Sequence, residues 1–216
     1  MCIRDRSSFP EYLTSRYKSW KNNLSVEKKA IFEKLELVGQ SPKSMIISCC
    51  DSRVNASMIF GAETGEFFIH RNIANLIPPY NPDSDHHGTS AAIEFAVCAL
   101  KVSHIIVLGH SSCGGIKNGY HICKGDKVNE ELLFVNKWLH FLKPAYDRLD
   151  QIPDEKKMIS MLEKQSIITS IQNLSEFPFV QKALSANEIS IHGLWNNIGI
   201  GELEMLNPKS MLFESL

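Results

Sequence analysis

Apolar residues recur at every third or fourth position in two stretches near the start of the chain, among lysines and glutamates. The stretches cover residues 9–20 and 25–38, and this spacing predicts two amphipathic helices. Ser25 is placed to cap the second helix. A Gly-Gln-Ser-Pro stretch at residues 39–42 then breaks the helical pattern. The chain is therefore expected to open with a helical arm.

Short, continuous apolar runs dominate the rest of the chain and alternate with helical patterns. Strands are predicted at residues 44–49, 66–71, 103–109 and 189–194, with an edge strand at 202–206. A helix is predicted at residues 88–100, and further helices between 130 and 173, broken near Pro144 and Pro153. This alternation indicates a single α/β domain with a mainly parallel sheet, in which binding sites gather at the carboxyl ends of the strands.

Composition narrows the class of partner. The 216 residues are 44% hydrophobic and 22% charged, with a formal net charge of −1, so the chain has no basic field with which to attract nucleic acid. No apolar run approaches the roughly 20 residues that cross a bilayer, and no secretory leader is visible. The six cysteines are sparse and irregularly spaced, unlike a secreted disulfide framework. We expect a cytoplasmic protein that acts on a small molecule and uses cysteine to bind metal.

The first residues are excluded from this interpretation. Residues 1–6 back-translate as ATG-TGT-ATA-AGA-GAC-AG, which resembles a transposon end used in preparing sequencing libraries. We therefore expect residues 1–8 to be a non-native or disordered leader and the domain to span residues 9–216. Genomic DNA across the locus tests this hypothesis, and finding those codons there would refute it.

Two predicted strands end in clusters of unusual composition. Cys49, Asp51 and Arg53 follow the first strand, while His110 and Cys113 follow the third. A turn that opens into a helix can aim an imidazole and a thiolate three residues apart at one point, as tetrahedral zinc requires. A cysteine at the end of another strand makes a chance arrangement much less plausible. The sequence thus predicts a metal site with one Zn²⁺ bound by Cys49, His110 and Cys113.

Strand alternation distinguishes the two adjacent cysteines. Cys49 and Asp51 share one face of the strand, whereas Cys50 points to the other and is interpreted as a small buried hydrophobe, as is Cys98 on its apolar helix. The other histidines are not expected to bind the metal. Structural positions are expected for His70, His104 and His192, and solvent-exposed positions for His86, His87, His121 and His140.

The Asp51 and Arg53 pair has two possible meanings. It can be an ordinary surface ion pair, or, beside a metal, a guanidinium that fixes a carboxylate. In the second case Asp51 either accepts a hydrogen bond from metal-bound hydroxide or ligates the metal itself in a closed state. Gly114 follows Cys113 and either starts a helix or brings backbone amides close to an anionic product.

Together these residues resemble a known family. The Cys49-x-Asp51-x-Arg53 and His110-x-x-Cys113 pairs look like the two signatures of the bacterial-type β-carbonic anhydrases, and residues 71–75, 92–97 and 108–110 also resemble family segments. The similarity runs from about residue 9 to residue 208. It implies a four-stranded parallel core with an added edge strand, helices on both faces, and a homodimer or tetramer in which the N-terminal helices embrace the neighbour.

The resemblance also implies a substrate pocket. Gln40 corresponds to an amide that contacts bicarbonate, and Phe68, Ile73 and Phe95 to an apolar wall around carbon dioxide, although core packing is the alternative for the aromatic pair. The bicarbonate-inhibited members of the family carry Trp and Gly where this chain has Ile46 and Ser48. An inhibitory bicarbonate site is therefore not expected on the resemblance alone.

The implied reaction is the reversible hydration of carbon dioxide to bicarbonate and a proton by zinc-bound hydroxide. Two thiolate ligands cancel the charge of the ion, so we expect activity to rise above neutral pH. Two alternatives stay open on the sequence. One is hydrolysis of carbon disulfide or carbonyl sulfide on the same scaffold, and the other is a noncatalytic protein with a structural zinc.

Overall fold

The computed structural model describes residues 9–83, 87–127 and 129–216. The predicted leader at residues 1–8 and the predicted exposure of His86 lie outside these ranges. The chain divides into two compact units, Met1–Gln40 and Ser41–Leu216.

Two helices form the described part of the N-terminal unit, as predicted. Helix α1 spans Glu11–Asn22 and helix α2 spans Val26–Val38. Ser25 caps α2, and its hydroxyl accepts a hydrogen bond from the amide of Lys28 at 3.2 Å. Neither helix contains a buried residue. The unit therefore has no hydrophobic core of its own within its described residues.

A six-stranded sheet forms the centre of the second unit, in the order β2-β1-β3-β4-β5-β6. The first four strands of this order pair in parallel, and β5 and β6 are antiparallel. This confirms the predicted α/β class and its parallel core, while β6 extends the sheet beyond the predicted edge strand. The strands are β1 Ser44–Cys49, β2 Phe67–Asn72, β3 His104–His110, β4 Ser190–Asn197, β5 Glu202–Leu206 and β6 Phe213–Ser215.

Helices connect and cover these strands. Pro144 stands in the first turn of one helix, and Asp154 caps the next, immediately after Pro153, so both predicted breaks are observed. The helices are α3 Ala56–Ile59, α4 His87–Glu94, α5 Gly114–Lys124, α6 Leu133–Leu139, α7 Lys143–Asp147, α8 Glu155–Ser175 and α9 Pro178–Ser185. Helix α4 continues as a π-helical segment, Phe95–Ala99.

Alternation along the strands sends side chains to two faces. Met45, Ile47, Ile105 and Val107 belong to a cluster that includes residues of α8 and α9. Residues at the alternate positions face the other way. Among them, Ile46 and Leu108 pack with the segment around α3. The predicted covering of both faces follows from this alternation.

Helix α8 lies close to the sheet because two strands carry glycine beneath it. A Cβ at Gly109 would lie 2.7 Å from the Cδ1 of Ile167, and one at Gly193 would lie 2.9 Å from the Cγ2 of the same residue. Ile167 is fully buried at this contact. The two glycines on β3 and β4 therefore form a notch that fixes the height of α8 above the strand ends.

Cys98 corrects one prediction. It is exposed, whereas the sequence predicted a buried residue on an apolar α-helix. The residue lies in the π-helical segment Phe95–Ala99, whose turns hold more residues than α-helical turns and so change which positions face the core.

Among the described helices, none combines the length and hydropathy that a bilayer crossing requires.

Candidate metal centre

Three donor residues meet at the carboxyl ends of two neighbouring central strands. Cys49 ends β1, His110 ends β3, and Cys113 directly precedes α5. Their ligand atoms all lie within 4.8 Å of one another, and the two Sγ atoms are 3.9 Å apart. The three residues are at most 5% exposed. The parallel pairing of β1 with β3 thus brings together the donors that the sequence predicted.

The histidine is oriented for metal binding through one particular nitrogen. Nδ1 of His110 lies 2.9 Å from the carbonyl oxygen of Ser111, and because a carbonyl only accepts, Nδ1 carries the hydrogen. Nε2 is buried and, among the described residues, has no hydrogen-bond partner. A buried ring nitrogen with a free lone pair beside two sulfurs fits tetrahedral zinc, with the fourth position left for another ligand.

The two thiols affect each other's protonation. The hydrogen bond between the sulfurs lowers the pKa of Cys49 to about 4, and the same contact, with burial, raises the pKa of Cys113. One of the pair is therefore ready to bind a cation as thiolate. A divalent ion displaces the remaining proton, since zinc binds cysteine only in the deprotonated form.

Arg53 holds the carboxylate of Asp51 beside this centre. Its Nε and Nη2 donate to Oδ1 and Oδ2 at 2.9 and 2.7 Å, and its backbone amide donates to Oδ1 at 3.0 Å. These hydrogen bonds hold the pKa of Asp51 well below its usual range. Arg53 Nη2 also donates to the carbonyl of Ser112 at 3.0 Å. The same guanidinium therefore contacts the loop between His110 and Cys113, which we call the metal-binding loop.

Arg71 is a contributor to the site that the sequence analysis did not assign. Its Nε donates to the carbonyl of Cys49, and its Nη2 donates to the carbonyls of Asp51 and Val54, at 2.8 to 2.9 Å. These three carbonyls belong to the turn that carries a metal ligand and the held carboxylate. The only signal in the sequence was that Arg71 opens a segment resembling the family.

Glu163 is the second contributor that sequence reasoning missed. It lies on α8, is 3% exposed, and its Oε1 accepts a hydrogen bond from the amide of Cys113 at 3.1 Å. Burial raises the pKa of this carboxyl, while the Cys113 amide opposes the shift. Helical spacing alone marks the position as polar within an apolar pattern, and nothing local indicates its partner 50 residues away.

Close packing at the start of α5 involves Gly115 and not Gly114. A Cβ at Gly115 would lie 2.9 Å from Cγ2 of Ile73 and 3.1 Å from Cβ of Ala74, whereas one at Gly114 would meet nothing within 4 Å. Ala74 is buried and has a left-handed backbone with φ of 64°. The segment after β2 therefore lies against the first turn of α5, and Ile73 packs there two residues beyond Cys113.

Two of the other predicted pocket residues, Phe68 and Phe95, lie away from the strand ends that carry the donors. The rings of Phe68 and Phe95 contact each other, with centroids 5.8 Å apart, and Phe95 is 48% exposed. Phe68 pairs with Met45 near the start of β1, so it lies roughly 13 Å before the strand end that carries Cys49. Gln40 is exposed at the end of the N-terminal unit. The substrate contacts of these residues stay predictions.

The other cysteine and histidine interpretations have mixed outcomes. Cys50 is exposed, so its predicted burial is wrong, because β1 ends at Cys49 and the alternation of the strand stops there. His70 makes a structural hydrogen bond to Thr89, as expected. His104 and His192 are both hydrogen-bonded to the hydroxyl of Ser190.

Comparisons with known proteins identify the family of this chain. The family model described as carbonic anhydrase matches residues 44–203. Beta carbonic anhydrase 3 of Arabidopsis thaliana is 36% identical over 157 residues, which cover 71% of this chain and 60% of the relative. A carbonic anhydrase of Synechocystis is 34% identical over 177 residues, which cover 80% and 62%. The chain thus spans about three fifths of the length of these curated relatives.

Solved structures give the same result. The β-carbonic anhydrase CcaA superposes with a TM-score of 0.85 at 29% identity, covering 95% of this chain and 91% of that one. A tetrameric β-carbonic anhydrase of the ascomycete Sordaria macrospora gives a TM-score of 0.78 at 31% identity, covering 91% and 96%. From its matched sequence, its fold and the Cys-His-Cys group at its strand ends, the chain belongs to the β-carbonic anhydrase family.

Proposed function

We propose that this chain catalyses the reversible hydration of carbon dioxide to bicarbonate and a proton, using one Zn²⁺ held by Cys49, His110 and Cys113. The observation that carries the proposal is the buried three-donor group with its unpartnered imidazole nitrogen, next to a carboxylate held by arginine. Zinc, when bound, supplies activation of a water molecule for attack on carbon near neutral pH.

Asp51 acts as the hydrogen-bond acceptor that orients the attacking water. An ionised carboxylate offers about four lone-pair sites, and Arg53 uses two on Oδ1 and one on Oδ2. The remaining site on Oδ2 is available to accept a hydrogen bond from the nucleophile and so to direct its lone pair at carbon dioxide. In a closed state Asp51 itself would ligate the metal.

Substrate contacts come from residues around this centre. Ile73 packs against the first turn of α5 and contributes apolar surface, and Gly114 offers a backbone amide in the same turn. The contact of Gln40 with bicarbonate rests on the family resemblance alone. Phe68 and Phe95 are too far along the sheet to line the same space within one chain. Their role in the carbon dioxide wall therefore requires a neighbouring copy.

A noncatalytic protein with a structural zinc is less well supported. Structural zinc sites have four protein ligands, whereas the group gathered among the described residues has three, and Asp51 is engaged by Arg53 instead. A purely structural ion would also need no carboxylate held ready for a proton.

We further propose that the protein is a cytoplasmic homodimer or tetramer. The need for two reduced thiolates supports the compartment. An N-terminal unit whose helices bury no residue supports assembly, because such helices gain stability by packing against another surface.

Stopped-flow hydration of carbon dioxide by purified protein with measured zinc content tests the activity. We expect wild type to bind one zinc per chain and to accelerate hydration, and Cys49→Ala to lose both metal and activity. Cys123→Ala, which removes a half-buried cysteine outside the three-donor group, is the matched control. Zinc-loaded wild type that leaves carbon dioxide unchanged but consumes carbonyl sulfide would replace the proposed substrate.

A further inference from the structure

We propose that Glu163 is a positioning residue for the metal centre, whose buried carboxylate fixes the backbone that aims the sulfur of Cys113 at the ion. The inference rests on the metal site of the proposed function and not on its substrate. It assigns a role in metal retention to a residue on a different element from any of the three ligands.

The loop between the two ligands on the β3 side needs external support. Only Ser111 and Ser112 separate His110 from Cys113, and Ser112 has φ of 55°, a left-handed conformation that residues with a Cβ rarely adopt. A loop this short has few internal contacts with which to enforce such a conformation. Its neighbours must therefore select it.

Four hydrogen bonds to three separate segments hold the loop. The amide of Ser111 donates to the carbonyl of Asn196 at 2.9 Å. The hydroxyl of Ser111 accepts from the amide of Ile198 at 3.0 Å, and the carbonyl of Ser112 accepts from Arg53 at 3.0 Å. The amide of Cys113 donates to Glu163 at 3.1 Å. Only the last of these acts on the backbone of a metal ligand itself.

Helix α5 cannot supply that acceptor locally. Cys113 is the N-cap residue, and in a capping box a Glu or Gln at the third helical position would accept from the N-cap amide. That position is Ile116, which is fully buried in the core. Glu163 on α8 therefore supplies the acceptor that a capping-box carboxylate in α5 would otherwise provide.

The packing of α8 on the sheet fixes the position of the Glu163 carboxylate. Ile167 follows Glu163 by one helical turn on the same face and fits the notch formed by Gly109 and Gly193. The notch fixes the distance between α8 and β3, and hence the reach of the carboxylate to Cys113. A carboxylate is costly to bury, and its hydrogen bond to the ligand loop offsets part of this cost.

Two substitutions separate positioning from simple packing. Glu163→Gln keeps the shape and an oxygen acceptor, whereas Glu163→Leu keeps a similar volume but removes the acceptor. Thr169→Val, at another buried polar position on α8, is the matched control because no hydrogen bond joins its hydroxyl to the described residues.

The first readout is the rate of zinc release from purified holoenzyme to an excess of chelator. We expect Glu163→Leu to release zinc roughly 10 to 100 times faster than wild type, as is typical when a partner of a metal ligand is lost. Glu163→Gln should restore a rate close to wild type, and Thr169→Val should not change it. The visible spectrum of Co²⁺-substituted protein should shift in Glu163→Leu alone, because the thiolate geometry changes there.

Two results would overturn the proposal. One is wild-type zinc release from Glu163→Leu, and the other is equal defects in Glu163→Gln and Glu163→Leu, which would make the charge and not the acceptor decisive. If the leucine variant does not fold, Glu163→Asp shortens the reach by one methylene, and normal zinc retention in it would also refute the proposal. A wild-type chain that retains zinc but does not hydrate carbon dioxide refutes the proposed function and leaves this inference intact.

Discussion

At the scale of single residues, Arg53 fixes the charge of Asp51. Three hydrogen bonds from Arg53 favour its ionised form and lower its pKa. A lowered pKa means that the carboxylate is charged throughout the neutral range. Its contribution to folding is complete above the unperturbed pKa of about 3.9 and is lost only as pH falls through the lower folded value.

Asp51→Asn should therefore keep zinc and lose most of the activity. We expect a decrease in kcat of about 100-fold to 1,000-fold, the size typical when one positioned hydrogen-bonding group of an active site is lost. The activity of wild type should rise above neutral pH, and the variant should keep such a rise, because Asp51 does not titrate there. Stopped-flow profiles with measured zinc content check this. Loss of the rise in the variant, or an unchanged kcat, would show that Asp51 has another role.

At the scale of elements, adjacent glycines at the start of α5 have unequal importance. Gly115 admits the segment after β2, while Gly114 faces open space and has no positive φ. The two positions share one helical turn, so the comparison isolates packing from helix propensity.

Gly115→Ala should destabilise the fold by about 1 to 3 kcal/mol, because the added methyl overlaps Ile73 and Ala74. Gly114→Ala should be neutral or stabilising by up to about 1 kcal/mol, as alanine is the better helix former. Urea unfolding of zinc-loaded protein measures both. Equal effects of the two substitutions would contradict the packing argument.

Periodicity located elements that depend on local pattern and missed features that depend on distant partners. Strands β1 and β5 have the predicted bounds, and alternation selected Cys49 over Cys50 as the residue that joins the donor group. Strand β6 and helix α9 were not predicted. Glu163 and Arg71 gain their roles from contacts across the fold, which no local pattern encodes.

At the scale of the whole molecule, the N-terminal helices carry a large exposed apolar surface. Tyr17 and Trp20 on α1 are 56% and 53% exposed, and the Trp20 ring contacts both Tyr17 and Phe32 at 6.1 Å between centroids. An aromatic cluster of this kind is typical of a surface that binds a partner.

Trp20→Glu should shift the protein from a dimer or tetramer towards smaller species, because a charge in an apolar contact is costly to desolvate. Light scattering after gel filtration gives the mass, and thermal unfolding followed by circular dichroism verifies that the sheet domain is intact. Lys18→Glu, also on α1, controls for charge alone. A wild type that is already monomeric would refute the proposed assembly.

The placement of the donors on two strands also sets an order for folding. Cys49 and His110 are separated by about sixty residues and meet only when β1 and β3 are paired, whereas His110 and Cys113 are neighbours in any conformation. An unfolded chain therefore offers zinc a weak local pair, and only the completed centre of the sheet offers all three donors. Since the ion binds the native state more tightly than the unfolded one, free zinc pulls the folding equilibrium towards the finished sheet.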